Sequence, residues 1–201
     1  MTRTLQELAQ VASTCTLCRL SSGRTQVVFG DGSPDADVMF VGEGPGFHED
    51  RQGIPFVGAA GQLLNQLLSE VGLDRRDVYI TNVVLCRPPG NRDPLPDEIE
   101  SCRPYLMEQL ELVDPRVIVT LGNFATRVIL DRPVSISRVR GQRQIWQGRV
   151  VIPTYHPAAV LRGGGDASQT MRAVREDFAT IKTAMAEVPS SAPLEEQLGL
   201  F

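Results

Sequence analysis

Residues 37–58 read Asp37-Val38-Met39-Phe40-Val41-Gly42-Glu43-Gly44-Pro45-Gly46-Phe47-His48-Glu49-Asp50-Arg51-Gln52-Gly53-Ile54-Pro55-Phe56-Val57-Gly58. The apolar run from Val38 to Val41 predicts a buried strand, because four apolar residues in succession suit a sheet covered on both faces. Gly42, Gly44 and Gly46 then remove Cβ atoms at the strand's carboxyl end, where open α/β sheets hold their ligands. Glu43, Glu49 and Asp50 crowd three carboxylates into the same loop. Phe56 stands alone on a Gly/Pro-rich loop with little core to join. The stretch therefore reads as a ligand-binding loop ahead of an ordinary βα connection. It is not a dinucleotide fingerprint, since the third glycine would fall at 47, where the chain has Phe47.

Outward from this loop, strand and helix signals alternate. Residues 3–13 carry Leu5, Leu8 and Val11 at helical spacing, and residues 59–71 do the same with Leu63, Leu64, Leu67, Leu68 and Val71 before Gly72. Residues 78–85 predict a second core strand, 116–122 a third and 150–154 a fourth. Pro96, followed by Asp97, Glu98 and Glu100, marks a helix start that Pro104 is expected to kink. Short and long helices are predicted over 123–130 and 170–187, the latter with a stripe of Met171, Val174, Phe178, Ile181 and Met185. The expected fold is α/β: a three-layer αβα sandwich around a central, mostly parallel four-stranded sheet, one domain over residues 1–187.

The whole-chain numbers narrow the class. With 42% hydrophobic and 22% charged residues over 201 positions, the chain can build one good core. No apolar stretch approaches a membrane span and residues 1–20 lack the apolar core of a secretory signal, so the expectation is a soluble, cytoplasmic protein. A net charge of −4 argues against indiscriminate polyanion binding but leaves room for a local basic face. Of the 20 basic residues only Lys182 is a lysine. Cys15 and Cys18 form a Cys-x-x-Cys, and Cys86 and Cys102 follow on separate elements. In an intracellular chain such thiols suit a metal better than disulfides. One knuckle and two scattered ligands favour an iron-sulfur cluster, with zinc and buried unliganded thiols as the alternatives.

Three strand ends carry chemistry. An amide such as Asn82 both donates and accepts, matching the edge of a pyrimidine. Phe56 offers a stacking surface, and the His156 imidazole can donate to a carbonyl oxygen as negative charge develops there. Singly, each has an ordinary structural explanation; on neighbouring strand ends they form a constellation.

The motifs Gly42-Glu43-Gly44-Pro45-Gly46, Glu49-Asp50-Arg51-Gln52-Gly53, Pro55-Phe56-Val57-Gly58, Thr81-Asn82, Cys86-Arg87-Pro88-Pro89-Gly90-Asn91-Arg92 and His156-Pro157-Ala158 closely resemble the family 4 uracil-DNA glycosylases, across nearly all of residues 5–185. The resemblance implies a uracil-DNA glycosylase-like fold and hydrolysis of the N-glycosidic bond of deoxyuridine in DNA. It implies a 4Fe-4S cluster on Cys15, Cys18, Cys86 and Cys102. It further implies that Phe56 stacks on extruded uracil, Asn82 reads its polar edge, Gly42 and Gly44 leave room for it, His156 sits at the carbonyl that becomes anionic, and Glu49 excludes the thymine methyl. The water-activating aspartate and tyrosine barrier of the first glycosylase family match Gly44 and Gly46 here, so Glu43 is the first candidate for the general base and Asp50 the second. A covalent relative carries a nucleophilic histidine between its second strand and fourth cysteine, and the segment from Arg87 to Ser101 has none. The alternatives are an iron-sulfur DNA-binding or redox-sensing module without turnover, and a glycosylase for another deaminated base.

DNA contacts are expected from arginines, whose phosphate contacts fix register. Arg138, Arg140, Arg143 and Arg149 cluster before the fourth strand and Arg162 follows the histidine, with Asn91 as a further contact and Val160 or Leu161 as the wedge that fills the vacated stack. The expected partner is uracil-containing DNA, single- or double-stranded, bound by a monomer associated with the nucleoid. Residues 188–201 read as a flexible tail. Within it, Gln197, Leu198, Leu200 and Phe201 resemble the short peptide with which DNA-processing enzymes bind the sliding clamp.

Overall fold

A computed structural model describes residues 3–187. The tail and its clamp-like peptide lie outside the described residues.

The sheet has six strands, β1 (Asp31–Gly32), β2 (Val38–Gly42), β3 (Tyr79–Asn82), β4 (Val117–Leu121), β5 (Gln144–Trp146) and β6 (Arg149–Thr154), in the order β1-β3-β2-β4-β6-β5. The expected four-stranded count is corrected here. The four parallel strands are those the apolar runs predict, and two short antiparallel edge strands, β1 on β3 and β5 on β6, are added. The edges carry too few residues to display a period.

Among the described residues eight α-helices accompany the sheet: α1 (Leu5–Ser13), α2 (Phe47–Gln52), α3 (Ala59–Glu70), α4 (Pro96–Val113), α5 (Asn123–Leu130), α6 (Ile136–Val139), α7 (Pro157–Arg162) and α8 (Gln169–Glu187). Alternation along β2 decides the layers. Met39 and Val41 face a core with Ala12 of α1, Leu106 and Leu110 of α4 and Ile129 of α5. Val38 and Phe40 face the opposite core, with Leu64 and Leu68 of α3 and Val174 and Phe178 of α8. Burying each of these large side chains contributes about 1.5–3 kcal/mol, which is why both faces of an apolar strand need a helix layer.

Helix ends follow local chemistry. Thr4 and Glu7 form a capping box before α1. α4 runs unbroken through Pro104 for 18 residues, where a kink is expected from sequence. Its start is pinned by Glu98, fully buried, which accepts from Leu95 N at 2.8 Å and from both terminal nitrogens of Arg92 at 2.8 and 2.6 Å. That fork fixes the Pro88–Pro94 loop. Among the described residues no helix is long and apolar enough to cross a membrane.

Candidate active site

The carboxyl ends of β2, β3 and β6 surround a cavity of about 330 Å³, walled by Glu43 and Gly44 from the first, Asn82 from the second and His156 from the third. Glu49, Phe56, Asn91, Arg92 and Asp93 complete its lining. The pocket thus gathers residues from positions 43 to 162, and three parallel strands bring them together.

Phe56 is held with unusual firmness. Its backbone is left-handed, φ 53°, a conformation disfavoured for a bulky side chain. Arg75 donates to the Phe56 carbonyl at 3.1 Å and to the Pro55 carbonyl, and its Nε pairs with Asp31 at 3.0 Å. A Cβ at Gly61 would fall 1.8 Å from the Phe56 carbonyl oxygen, so only glycine lets α3 approach so closely. The ring lies 5.6 Å from the His156 ring, centroid to centroid, at 30°.

Asn82 is buried, and its Oδ1 has no hydrogen-bond partner. An orphaned buried acceptor costs about 1–3 kcal/mol unless a ligand supplies a donor. His156 caps α7: its Nδ1 accepts from Ala158 N at 3.2 Å, so in the neutral ring the proton sits on Nε2. Burial, with help from the Arg162 cation and against a pull from Glu49, draws its pKa down to about 4. The imidazole is therefore a neutral donor near pH 7.

Glu43 is half-buried, and burial followed by repulsion from Asp93 raises its pKa to about 7, against the lowering influence of Arg162. Glu49 is immobilised differently: one carboxylate oxygen accepts from Val57 N at 2.9 Å and Gly58 N at 2.8 Å. Asp50, the second base candidate, does not line the pocket. It is buried, with Oδ1 accepting from Thr25 N at 2.8 Å, and so anchors a loop. Those two carboxylates diverge because residues 47–52 form α2, a helix that the glycine-rich sequence concealed.

The remaining expectations separate likewise. Asn91 and Arg162 line the pocket. Arg140 faces inward, donating to both Asp177 oxygens at 3.0 and 2.7 Å and to the Ala173 carbonyl, while Thr154 donates to the same Asp177 at 2.6 Å. Arg143 pairs with Glu187, and Arg149 with Asp114 at 2.6 Å. Val160 is fully buried in the α3/α8 core, whereas Leu161 is 43% exposed. Arg92, which closes the Cys86–Arg92 motif, and Asp93, which no motif marks, also line the pocket; the prolines around them show only that their loop is stiff.

On the opposite helix layer Cys86 and Cys102 are buried among core residues, all four cysteines are free, and Cys86 and Cys102 both sense Cys15 and Cys18 electrostatically. Burial, reinforced by the other thiols, pushes Cys102 up to about 12. N–H donors point at the sulfurs: Arg24 at Cys86 and Leu85 N at Cys102, each at 3.4 Å. Among the described residues no three His, Cys, Asp or Glu side chains come close enough to hold a single metal ion. A zinc site, with Zn–S bonds of about 2.3 Å, needs such closeness, whereas a cluster interposes irons and sulfides between its thiolates. Four free thiols, two of them buried and each met by an N–H donor, fit the donor set of a cluster.

Comparison with known proteins agrees with this geometry. Residues 29–179 match the model of the uracil DNA glycosylase superfamily. A type-4 uracil-DNA glycosylase of Thermotoga maritima is 47% identical over 90% of this chain and 96% of its own. Type-4 enzymes of Sulfurisphaera tokodaii (43% identical; 97% and 90% covered) and Archaeoglobus fulgidus (48%; 78% and 83%) are similarly related.

Proposed function

The chain belongs to the uracil DNA glycosylase superfamily, among the type-4 enzymes, and we propose that its pocket hydrolyses the N-glycosidic bond of deoxyuridine in DNA, releasing uracil and leaving an abasic site for base excision repair. The orphaned Asn82 Oδ1 carries this reading. It accepts from the uracil N3–H while the amide nitrogen donates to O4, a pattern that cytosine reverses at both positions.

The target nucleotide must leave the stack, at a cost of a few kcal/mol that is least for a weakly paired or single-stranded base. Stacking on Phe56 offsets part of that cost. The fixed Glu49 carboxylate stands beside the Phe56 loop, where it crowds the 5-methyl group of thymine. As the N1–C1′ bond breaks, its electron pair leaves with uracil and the sugar becomes cationic. His156 Nε2–H donates to uracil O2 as the charge develops; one such donor is worth about 3 kcal/mol. Ionised Glu43 orients water on C1′ and takes its proton as the new C–O bond forms. Lys182, whose Nζ lies beside Gly72 after α3, does not line the pocket, so Schiff-base chemistry has no amine there.

Cys15, Cys18, Cys86 and Cys102 would hold the 4Fe-4S cluster. When bound, it supplies four metal–thiolate links that cross-tie the start of the chain, the β3 loop and α4 away from the reacting sugar. The DNA partner is met by Asn91 and Arg162 of the pocket lining, with Leu161 as the wedge. On sequence alone, residues 188–201 tether a clamp-binding peptide that keeps a monomeric enzyme on nucleoid DNA. Deleting residues 197–201 should abolish retention on immobilised clamp and spare activity on a short oligonucleotide.

The central test is to incubate the protein with uracil-containing, hypoxanthine-containing and normal oligonucleotides and then treat with alkali. Cleavage at uracil is expected; its absence overturns the reading.

A further inference from the structure

The lip of the pocket carries a ring that neither the core nor the uracil site uses. Phe47 opens α2, directly after the pocket-lining Gly46, and is 44% exposed. Exposed large hydrophobic residues occur singly on any protein. Here, however, the other six among the described residues are aliphatic, and only Phe47 offers an aromatic face. Two guanidiniums lie over the ring, extending its stacking surface with their own planes. The Arg87 guanidinium lies 5.1 Å and that of Arg51 5.5 Å from the ring centroid, and His48 meets the ring edge-on at 5.5 Å.

These guanidiniums differ from most in the protein. Arg75, Arg92, Arg140 and Arg175 each engage a carboxylate. Arg51 and Arg87 pair with none among the described residues; Arg87 is aimed instead by its Nε, which donates to Asn91 Oδ1 at 2.7 Å. Asn91 lines the pocket and is itself left-handed, φ 55°. A stiff chain of contacts thus joins the uracil pocket to a half-exposed ring flanked by two unneutralised cations. Single-stranded nucleic acids are held by this combination, bases on aromatic faces and phosphates on arginine.

We propose that Phe47, Arg51 and Arg87 form a stacking platform for the unpaired nucleobase adjacent to the extruded uridine in single-stranded DNA. In a duplex that neighbour stays on its paired stack, so the platform favours single strands. This inference rests on the glycosylase reading of the adjoining pocket, and its test separates the two.

The test compares wild type, Phe47→Ala and Phe47→Trp on single- and double-stranded oligonucleotides containing uracil. A parallel binding arm uses a 2′-fluoro deoxyuridine that resists hydrolysis, flanked by 2-aminopurine. Phe47→Ala should raise KM on single strands roughly 5- to 100-fold, the loss expected for one base–aromatic stack, with kcat and melting temperature nearly unchanged. Duplex KM should move far less, Phe47→Trp should restore single-strand KM, and quenching of 2-aminopurine on binding should disappear only in Phe47→Ala. Unchanged single-strand KM and quenching in Phe47→Ala overturns the platform, as does an equal loss on both substrates that Phe47→Trp fails to rescue. Should wild type release no uracil, the glycosylase reading fails, and the binding arm still decides the platform.

Discussion

A Cβ placed on Gly42 would lie 2.4 Å from Asn82 Oδ1 and 2.7 Å from two atoms of the Phe56 ring. The last residue of β2 must therefore be glycine for the Asn82 amide and the Phe56 ring to occupy their positions together. Gly42→Ala should displace both, lowering kcat/KM on uracil oligonucleotides by about 100-fold while costing about 1–3 kcal/mol of stability through overpacking. Activity within twofold of wild type, with an unshifted melt, would mean that the two side chains do not act on the base as a pair.

The acidic limb of the pH profile should belong to Glu43. Burial and the Asp93 carboxylate hold its pKa up at about 7. The base must be ionised, so kcat/KM should rise with pH through about 7 and level off above it. Asp93→Asn removes a raising charge and should move that limb to lower pH. His156, held down at about 4, stays neutral throughout and adds no limb of its own near neutrality. A limb that persists in Glu43→Gln at unchanged pH would assign it to another group.

Arg140 and Arg162 should part company. Removing Arg140 strands the nearly buried Asp177, and loss of one partner of a buried pair costs about 3–5 kcal/mol. Arg140→Ala should unfold at lower denaturant while its DNA binding keeps the wild-type salt dependence. Arg162→Ala should melt normally and reduce the salt slope by about one phosphate contact. The opposite pattern would make Arg140 the contact residue.

Val160 and Leu161 are neighbours with different fates. Val160→Ala opens a hole in the α3/α8 core and should cost roughly 1–3 kcal/mol on any substrate. Leu161→Ala should leave stability alone and slow uracil release from duplexes more than from single strands, where no vacated stack needs filling. Equal slowing on both substrates would remove Leu161 from the wedge role.

Purified holoprotein should be brown, with broad visible absorbance from thiolate-ligated iron and sulfide. Cys102→Ala should lower stability more than it lowers activity measured on the folded fraction, because the four cysteines come from separate elements and do not line the pocket. Colourless protein carrying one zinc per chain would overturn the cluster.

What the sequence determined was local. The strands around Phe40, Ile80, Val119 and Ile152, the helix over Asn123–Leu130, the glycine loop and the cysteine set are all written as short-range periods or motifs. Period survives in a linear string because burial repeats with the geometry of strand or helix. The tertiary structure decided whatever depends on a distant partner. β1 and β5 exist only because β3 and β6 offer edges to pair with. Asp50 bonds Thr25 rather than lining the pocket, and Arg140 pairs with Asp177. Glu43 owes its raised pKa to burial and to Asp93, a residue on another loop. Charge and hydrogen bonding act through space, so which carboxylate lines the pocket and which arginine pairs with a buried carboxylate emerge only once the sheet brings its strand ends together.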